Sequence, residues 1–284
     1  MEVLPELVAG SVGGLTSKLF DYPLDTVKVL LQTQTPGTYD GAWHCLSSTV
    51  RKKGIPALYR GISSPLVGCV AENAVLFFAY GGFRKLLSRR KDDEENLTDI
   101  ALAGAAAGGV VSFVLTPVEL VKTRLQVQNG GAGFRVFRGP WDVISRTVRE
   151  EGIVRGLFRG HFSTMCREIP GNACYFGVYE MSCRAMIPPG GTREDLGPTS
   201  YIIGGILSGT AYWVAFYPAD TVKSLMQSHP AYANKTFAQT FLSLYRTSGV
   251  RGLYRGLGVT LLKAAPSTAL LFTSYEFTLK AIGG

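Results

Sequence analysis

Three short segments of the chain place a proline, an acid two residues later and a lysine three residues after the acid: Pro23, Asp25 and Lys28; Pro117, Glu119 and Lys122; Pro218, Asp220 and Lys223. On a helix, residues three apart share a face, and an interior proline frees a carbonyl and bends the axis. Three bent helices set about one axis bring each acid to the lysine of the next segment. The spacing therefore predicts the ion pairs Asp25–Lys122, Glu119–Lys223 and Asp220–Lys28. Unpaired charges inside an apolar helix are costly, so pairing is the default. A lysine near a helix C-terminus is favourable on its own, but that does not account for acid and base recurring together three times. A glutamine follows each lysine by four residues, Gln32, Gln126 and Gln227, and is expected to hydrogen-bond to the pairs from one turn below. Breaking the ring would open one end of a central cavity.

Other charges do not recur. The triplets Tyr59-Arg60-Gly61, Phe158-Arg159-Gly160 and Tyr254-Arg255-Gly256 set a common register. Counted from their glycines, the seventh residues are Gly68, Arg167 and Lys263, the eighth Cys69, Glu168 and Ala264, and the eleventh Glu72, Gly171 and Ser267. Glu72, Arg167, Glu168 and Lys263 thus break the repeat near mid-helix, where an ionisable residue points to a ligand site. Mutual pairing for stability alone would incur desolvation without clear benefit. Two acids and two cations suit a zwitterion. A monocarboxylate with two amino groups fits, with Arg167 or Lys263 on its carboxylate, Glu72 and Glu168 on its ammonium groups, and Asn73 adding a hydrogen bond. A nucleotide or dicarboxylate would call for surplus cations, and a fatty acid for no paired acids. Lys18 and Asp21 are either cavity charges or partners of each other.

These residues need long helices to carry them. Each repeat holds two apolar stretches, at 4–32 and 62–88, 98–126 and 160–186, 200–228 and 257–282, all beyond the ~20 residues that cross a bilayer core. Glycine pairs ahead of each proline (Gly10 and Gly14, Gly104 and Gly108, Gly205 and Gly209) permit close helix approach in a membrane and weigh against buried helices of a soluble protein. The segments 33–61 and 127–159 are rich in Arg and Lys and face the more negative compartment, with both termini on the other side. Each holds an amphipathic stretch, such as Pro140 to Glu151, suited to the interface. A second lock at the opposite end is expected from Arg84, Glu180 and Glu276, weaker because only two of the three tyrosines at the even-helix ends precede an acid. The connection from Arg89 to Glu95 is of mixed charge.

Composition agrees. Of 284 residues, 46% are hydrophobic and 18% charged, and the mean hydropathy is +0.15. The net charge of +8 comes from helix ends and loops rather than one continuous stripe, which argues against nucleic acid. The five cysteines form no C-x-x-C pair and are expected as reduced thiols packed in helices, with Cys166, beside Arg167, as the one candidate for reactivity. His44, His161 and His229 lack metal-ligand spacing, so no metal is expected. No nucleophile–base set points to an enzyme. The first residues resemble neither a signal peptide nor an Arg-rich transit peptide, so an organelle address is expected to be internal.

Three copies of Pro-x-[Asp/Glu]-x-x-[Lys/Arg], each followed by aromatic-Arg-Gly, resemble the mitochondrial carrier signature over essentially the whole chain. The family often has a second base two after the first. Arg124 fills it in the second repeat, whereas Leu30 and Leu225 stand in the others. The resemblance implies an all-α membrane protein: six transmembrane helices in three pseudo-threefold repeats (1–97, 98–195, 196–284), with short matrix-side amphipathic helices. It implies a monomer of the inner mitochondrial membrane, working by alternating access about one substrate site, with no cofactor. The family's cardiolipin sites map onto the triplets (Arg60 and Gly61, Arg159 and Gly160, Arg255 and Gly256) and onto Tyr39-Asp40-Gly41 and Phe137-Arg138-Gly139, with no clean equivalent near Thr236. Helix N-terminal amides with Arg suit phosphate.

Arg167-Glu168 is similar to the Arg-acid pair at the second contact point of amino-acid and carnitine carriers. The runs from Ala71 to Phe77 and from Lys18 to Val29 are similar to the ornithine and basic amino-acid carriers, in which Arg usually stands where Lys263 does. This implies an antiporter of ornithine, arginine and lysine, against citrulline or a proton. The alternatives are a carnitine/acylcarnitine carrier, against which Glu72 argues, and a non-transporting membrane scaffold or proton leak.

Overall fold

The computed structural model describes residues 3–34, 38–88, 96–128 and 136–283, with the N-terminal turns of the first helix and parts of the last described by their backbone path. The Arg89 to Glu95 connection lies outside the described residues. Among them are nine α-helices: α1 (Val3–Thr33), α2 (Ala42–Lys53), α3 (Ser63–Ser88), α4 (Leu97–Val127), α5 (Pro140–Glu151), α6 (His161–Ala185), α7 (Pro198–Ser228), α8 (Phe237–Leu253) and α9 (Leu257–Gly283). The six long helices begin and end within two residues of the apolar stretches read from sequence. The expected amphipathic segment is α5, with α2 and α8 in the corresponding places.

Pro23, Pro117 and Pro218 lie inside α1, α4 and α7. On apolarity alone, the segments 55–87, 97–127 and 199–228 qualify as membrane spans among the described residues. Helices α1, α6 and α9, at 31, 25 and 27 residues, are also long enough to cross.

Each short helix is fastened to the foot of the proline helix before it by an apolar cluster. Leu30 and Leu31 enclose Cys45 of α2, Leu120 and Leu125 enclose Val143 of α5, and Leu225 and Met226 enclose Leu244 of α8. The departure at the second basic position now has a reason. Leu30 and Leu225 belong to these clusters. Arg124 instead donates to Thr147 at 2.7 Å and to both carboxylate oxygens of Glu151 at 3.0 and 3.2 Å. The residues matching Glu151 are Lys53 and Ser248, each preceding a left-handed glycine like Gly152, so the other repeats offer no acid for an arginine to meet.

Helices pack as α1 on α9, α3 on α4, α4 on α6 and α6 on α7. The glycine pairs do not act alike. A Cβ on Gly108 would lie 2.3 Å from the Glu168 carbonyl oxygen and one on Gly104 2.8 Å from that of Asn172, so this pair lets α6 close on α4. Gly14, Gly205 and Gly209 have nothing within 4 Å of such an atom. Among the described glycines of these pairs, close approach is therefore seen in the second repeat only.

The triplet glycines turn the chain into the even helices with φ of 86° at Gly61, 77° at Gly160 and 94° at Gly256, a region costing roughly 1–2 kcal/mol for a residue with a Cβ. At Gly61 a Cβ would also meet Leu125 Cβ at 2.8 Å, and at Gly256 the Tyr217 hydroxyl at 2.8 Å, whereas at Gly160 the nearest atom is Cγ of the flexible Gln227 at 3.2 Å. Gly61→Ala and Gly256→Ala should therefore lower the unfolding temperature of the detergent-purified protein more than Gly160→Ala does. Equal shifts in a thermal-unfolding assay would contradict this packing.

Candidate functional site

The three proline helices converge, and their charges meet across the repeats. Lys122 Nζ lies 2.7 Å from Asp25 Oδ2 and Lys28 Nζ 2.8 Å from Asp220 Oδ2, while Lys223 bonds Glu119. The partners are those the spacing predicts. The carboxylates and ammoniums are buried or nearly so, where each would be costly alone and is tolerable with its partner. Lys28 also sits 4.3 Å above the Trp213 ring, a face that attracts a cation.

The glutamines diverge from expectation. Gln32 donates to Asp220 at 3.0 Å and so joins an ion pair. Gln126 donates instead to Thr26 Oγ1 at 3.0 Å, and Gln227 to the Thr116 carbonyl at 3.4 Å. Both contacts cross to a neighbouring proline helix and tie the helices together beside the charges.

The non-repeating charges also depart from a simple ligand-facing arrangement. Arg167 spreads its guanidinium over three carboxylates: Nη1 to Asp220 at 2.7 Å, and Nη2 to Glu119 at 3.2 Å and Glu168 at 2.5 Å. It is 4% exposed. Lys263 Nζ bonds Asp25 Oδ1 at 2.5 Å and lies 3.6 Å from Asp21. Both cations expected to wait for a ligand carboxylate are thus engaged with acids of the ring. Sequence reasoning missed this because these residues come from helices whose contact with the ring depends on helix packing. Their level was legible, at the seventh residue after each triplet glycine. Asp21 meets Lys263 and the Ser267 hydroxyl, 2.8 Å away, and not Lys18.

Glu168 accepts from Arg167, from the Asn172 side chain at 2.8 Å and from the Tyr212 hydroxyl at 3.1 Å. Glu72 and Asn73 of α3 line the same cavity, about 420 Å³ in volume, floored by the ring and walled by Lys18, Tyr175, Phe176, Tyr212 and Trp213. That size falls within the roughly 300–1,000 Å³ of small-molecule sites. Glu72 makes no ion pair or hydrogen bond among the described residues, and neither does Lys18. Beside Lys263 a second, mostly apolar chamber of about 760 Å³ is lined by Tyr179, Ile202, Ile206 and Leu261.

At the far end of the bundle lie the residues expected to form a second lock. Glu180 is held by Arg184, one turn along its own helix, at 2.8 Å, and by Arg193 of the following loop at 2.7 Å. These nearby bases were not foreseen as its partners. Arg84 lies in the last turns of α3, and the Glu276 side chain lies outside the described residues. In the triplets, Arg159 bonds Glu151 at 2.8 Å. Arg255 donates to the carbonyls of Gln34 and Tyr39, across the junction of the third and first repeats, and its burial weakens its hold on its proton. Gly61, Gly160 and Gly256 stand at the entrances of α3, α6 and α9. The described cysteines are all free thiols. Burial pushes the Cys45 thiol up to about 12.

Comparison with known proteins gives a consistent picture. The family model described as mitochondrial carrier protein matches three times, at residues 1–91, 93–189 and 194–284. A mitochondrial carnitine/acylcarnitine carrier-like protein of Arabidopsis thaliana is 37% identical, over 98% of this chain and 98% of its own. Mitochondrial ornithine transporter 1 of Mus musculus is 35% identical (97% and 93%). The mitochondrial basic amino acids transporter of Bos taurus is 37% identical (98% and 92%). With a threefold match spanning the sequence and relatives this similar along its full length, the chain belongs to the mitochondrial carrier family.

Proposed function

We infer that this member of the family is a transporter of the inner mitochondrial membrane and not an enzyme. We propose that its substrates are basic amino acids such as ornithine, arginine and lysine, exchanged against one another, against citrulline or against a proton. The observation that carries this reading is Glu72, an acid in the central cavity with no protein base within ion-pairing distance among the described residues. A cationic group on the ligand would supply the missing partner, and Glu168, at the cavity wall, would take a second. Relatives named as ornithine and basic amino acid transporters support the assignment.

The ring of Asp25, Lys28, Glu119, Lys122, Asp220 and Lys223, with Gln32, Gln126 and Gln227, then acts as the matrix-side gate. Arg167 and Lys263 latch it by holding its acids. A ligand carboxylate competes for these two cations, which loosens the ring in proportion to the ligand's preference for the open state. Glu180, Glu276 and Arg84 form the cytoplasmic gate, and Glu180 rests on Arg184 and Arg193 while the matrix gate is shut. We assign the protein as a monomer with cardiolipin at the N-terminal amides of α3, α6 and α9.

A specific observation favours a second reading. The apolar chamber beside Lys263 could hold an acyl chain, and the carnitine/acylcarnitine carrier-like relative is as similar as the amino-acid ones. Uptake into proteoliposomes loaded with candidate counter-substrates separates the two. Ornithine or arginine is expected to enter against internal basic amino acid, with carnitine excluded. Carnitine exchange with none for ornithine would install the second reading, and proton conductance without exchange of either would point to a leak.

A further inference from the structure

Every ring and cavity charge described above has a partner of opposite sign except two. Asp25, Glu119 and Asp220 meet the ring lysines and the two latching cations, Glu168 meets Arg167, and Asp21 meets Lys263. The two left over are opposite in sign: Lys18 on α1 and Glu72 on α3, both lining the cavity. Glu72 lies within electrostatic range of Lys18 as well as of Glu119, Glu168 and Arg167, and Lys18 within range of Asp25, but neither makes a direct contact with any of them. Neither has a protein partner within 4 Å among the described residues, and each would be costly there without one.

Lys18 also breaks the threefold repeat. It stands five residues before Pro23, where the other repeats have Ser112 and Trp213. Ser112 bonds the Gly109 carbonyl within its own helix, and Trp213 lies under Lys28. The other single-occurrence cations, Arg124, Arg167 and Lys263, are each held by a protein acid. Lys18 occurs once, as Glu72 does.

We propose that Lys18 is the first anchor for the ligand's carboxylate, acting as a pair with Glu72, which takes an ammonium group. This rests on the amino-acid reading above and deepens it. Arg167 and Lys263 are held by ring acids in this conformation, so an arriving carboxylate meets one cation that need not be pulled from a protein acid. Lys18 and Glu72 lie on helices of the same repeat, and the ligand joins them. Once seated, its carboxylate lies over the latch and can draw Arg167 or Lys263 off the gate.

The test compares ornithine with 1,4-diaminobutane, which keeps the two ammonium groups and lacks the carboxylate, as competitors of labelled ornithine uptake in proteoliposomes. The unmodified carrier should prefer ornithine. Lys18→Gln should weaken ornithine by about tenfold or more, the range of a lost charged hydrogen bond, and leave the diamine equal or better, so that the preference collapses. Lys18→Arg should restore most of it. Should Lys18→Gln transport too little to assay, the same preference is read as ligand-induced thermal stabilisation of the purified variant. Retention of the full ornithine-over-diamine preference in Lys18→Gln, with ornithine exchange intact in the unmodified protein, overturns the Lys18 assignment alone. Absence of basic amino-acid exchange in the unmodified protein overturns the underlying reading and this inference with it.

Discussion

Replacing Glu72 by Gln is expected to cut ornithine exchange by roughly tenfold to a hundredfold, the equivalent of losing one charge-assisted hydrogen bond, while leaving the protein as stable as before or slightly more so. The two halves of this expectation come from one observation. Glu72 lines the cavity and bonds no described protein group, so its removal costs no internal contact and relieves an unpaired charge in a low-dielectric setting. What is lost is the partner of a ligand cation. The change should appear as a raised apparent KM in proteoliposome exchange, with an unchanged or higher unfolding temperature. Preserved ornithine exchange in this variant would remove Glu72 from the site. A fall in stability matching the fall in transport would make it a structural charge instead.

Arg167 should behave in the opposite way. Its guanidinium serves Asp220, Glu119 and Glu168 at once. Arg167→Ala leaves three acids, two of them buried, short of positive charge, and breaking such a network costs on the order of 3–5 kcal/mol. Exchange and unfolding temperature should fall together. Arg167→Lys keeps the charge but not the planar fork that reaches Asp220 through one nitrogen and the two glutamates through another, so it should recover stability only in part. A second change removing one surplus acid, Glu168→Gln, should restore part of the stability lost in Arg167→Ala, since the two residues are in contact and couple. Full stability in Arg167→Ala alone would mean that the ring acids are balanced without it.

These two residues fall at adjacent levels of the same repeat register, and the sequence makes both look like ligand contacts. The structure separates them. Glu72 lines the cavity with no bonded partner among the described residues, whereas Arg167 holds acids of the ring. Nothing local distinguishes the two cases, because the separation of Arg167 from Asp220 depends on how closely α6 lies against α7. Lys263 repeats the lesson on α9, reaching Asp25 and Asp21 of α1. The glutamines repeat it on a finer scale: all three have the same spacing, yet only Gln32 is placed to reach an acid.

What the sequence determined by itself is whatever symmetry and periodicity carry. Helix limits follow from the length of apolar runs and the turn glycines. The three ion pairs follow from a proline–acid–lysine spacing written three times, since equivalent residues about a threefold axis must meet one another in rotation. The packing of the helices settles the residues that occur once: which cations hold the ring acids, that Asp21 turns to Lys263 rather than Lys18, that Gly104 and Gly108 draw two helices together, and that Glu180 takes bases from its own repeat. The reason is geometric. A charge without a symmetry mate has no partner dictated by register, and its contact is set by the distance and crossing angle of neighbouring helices, to which the spacing of residues along one chain segment is blind.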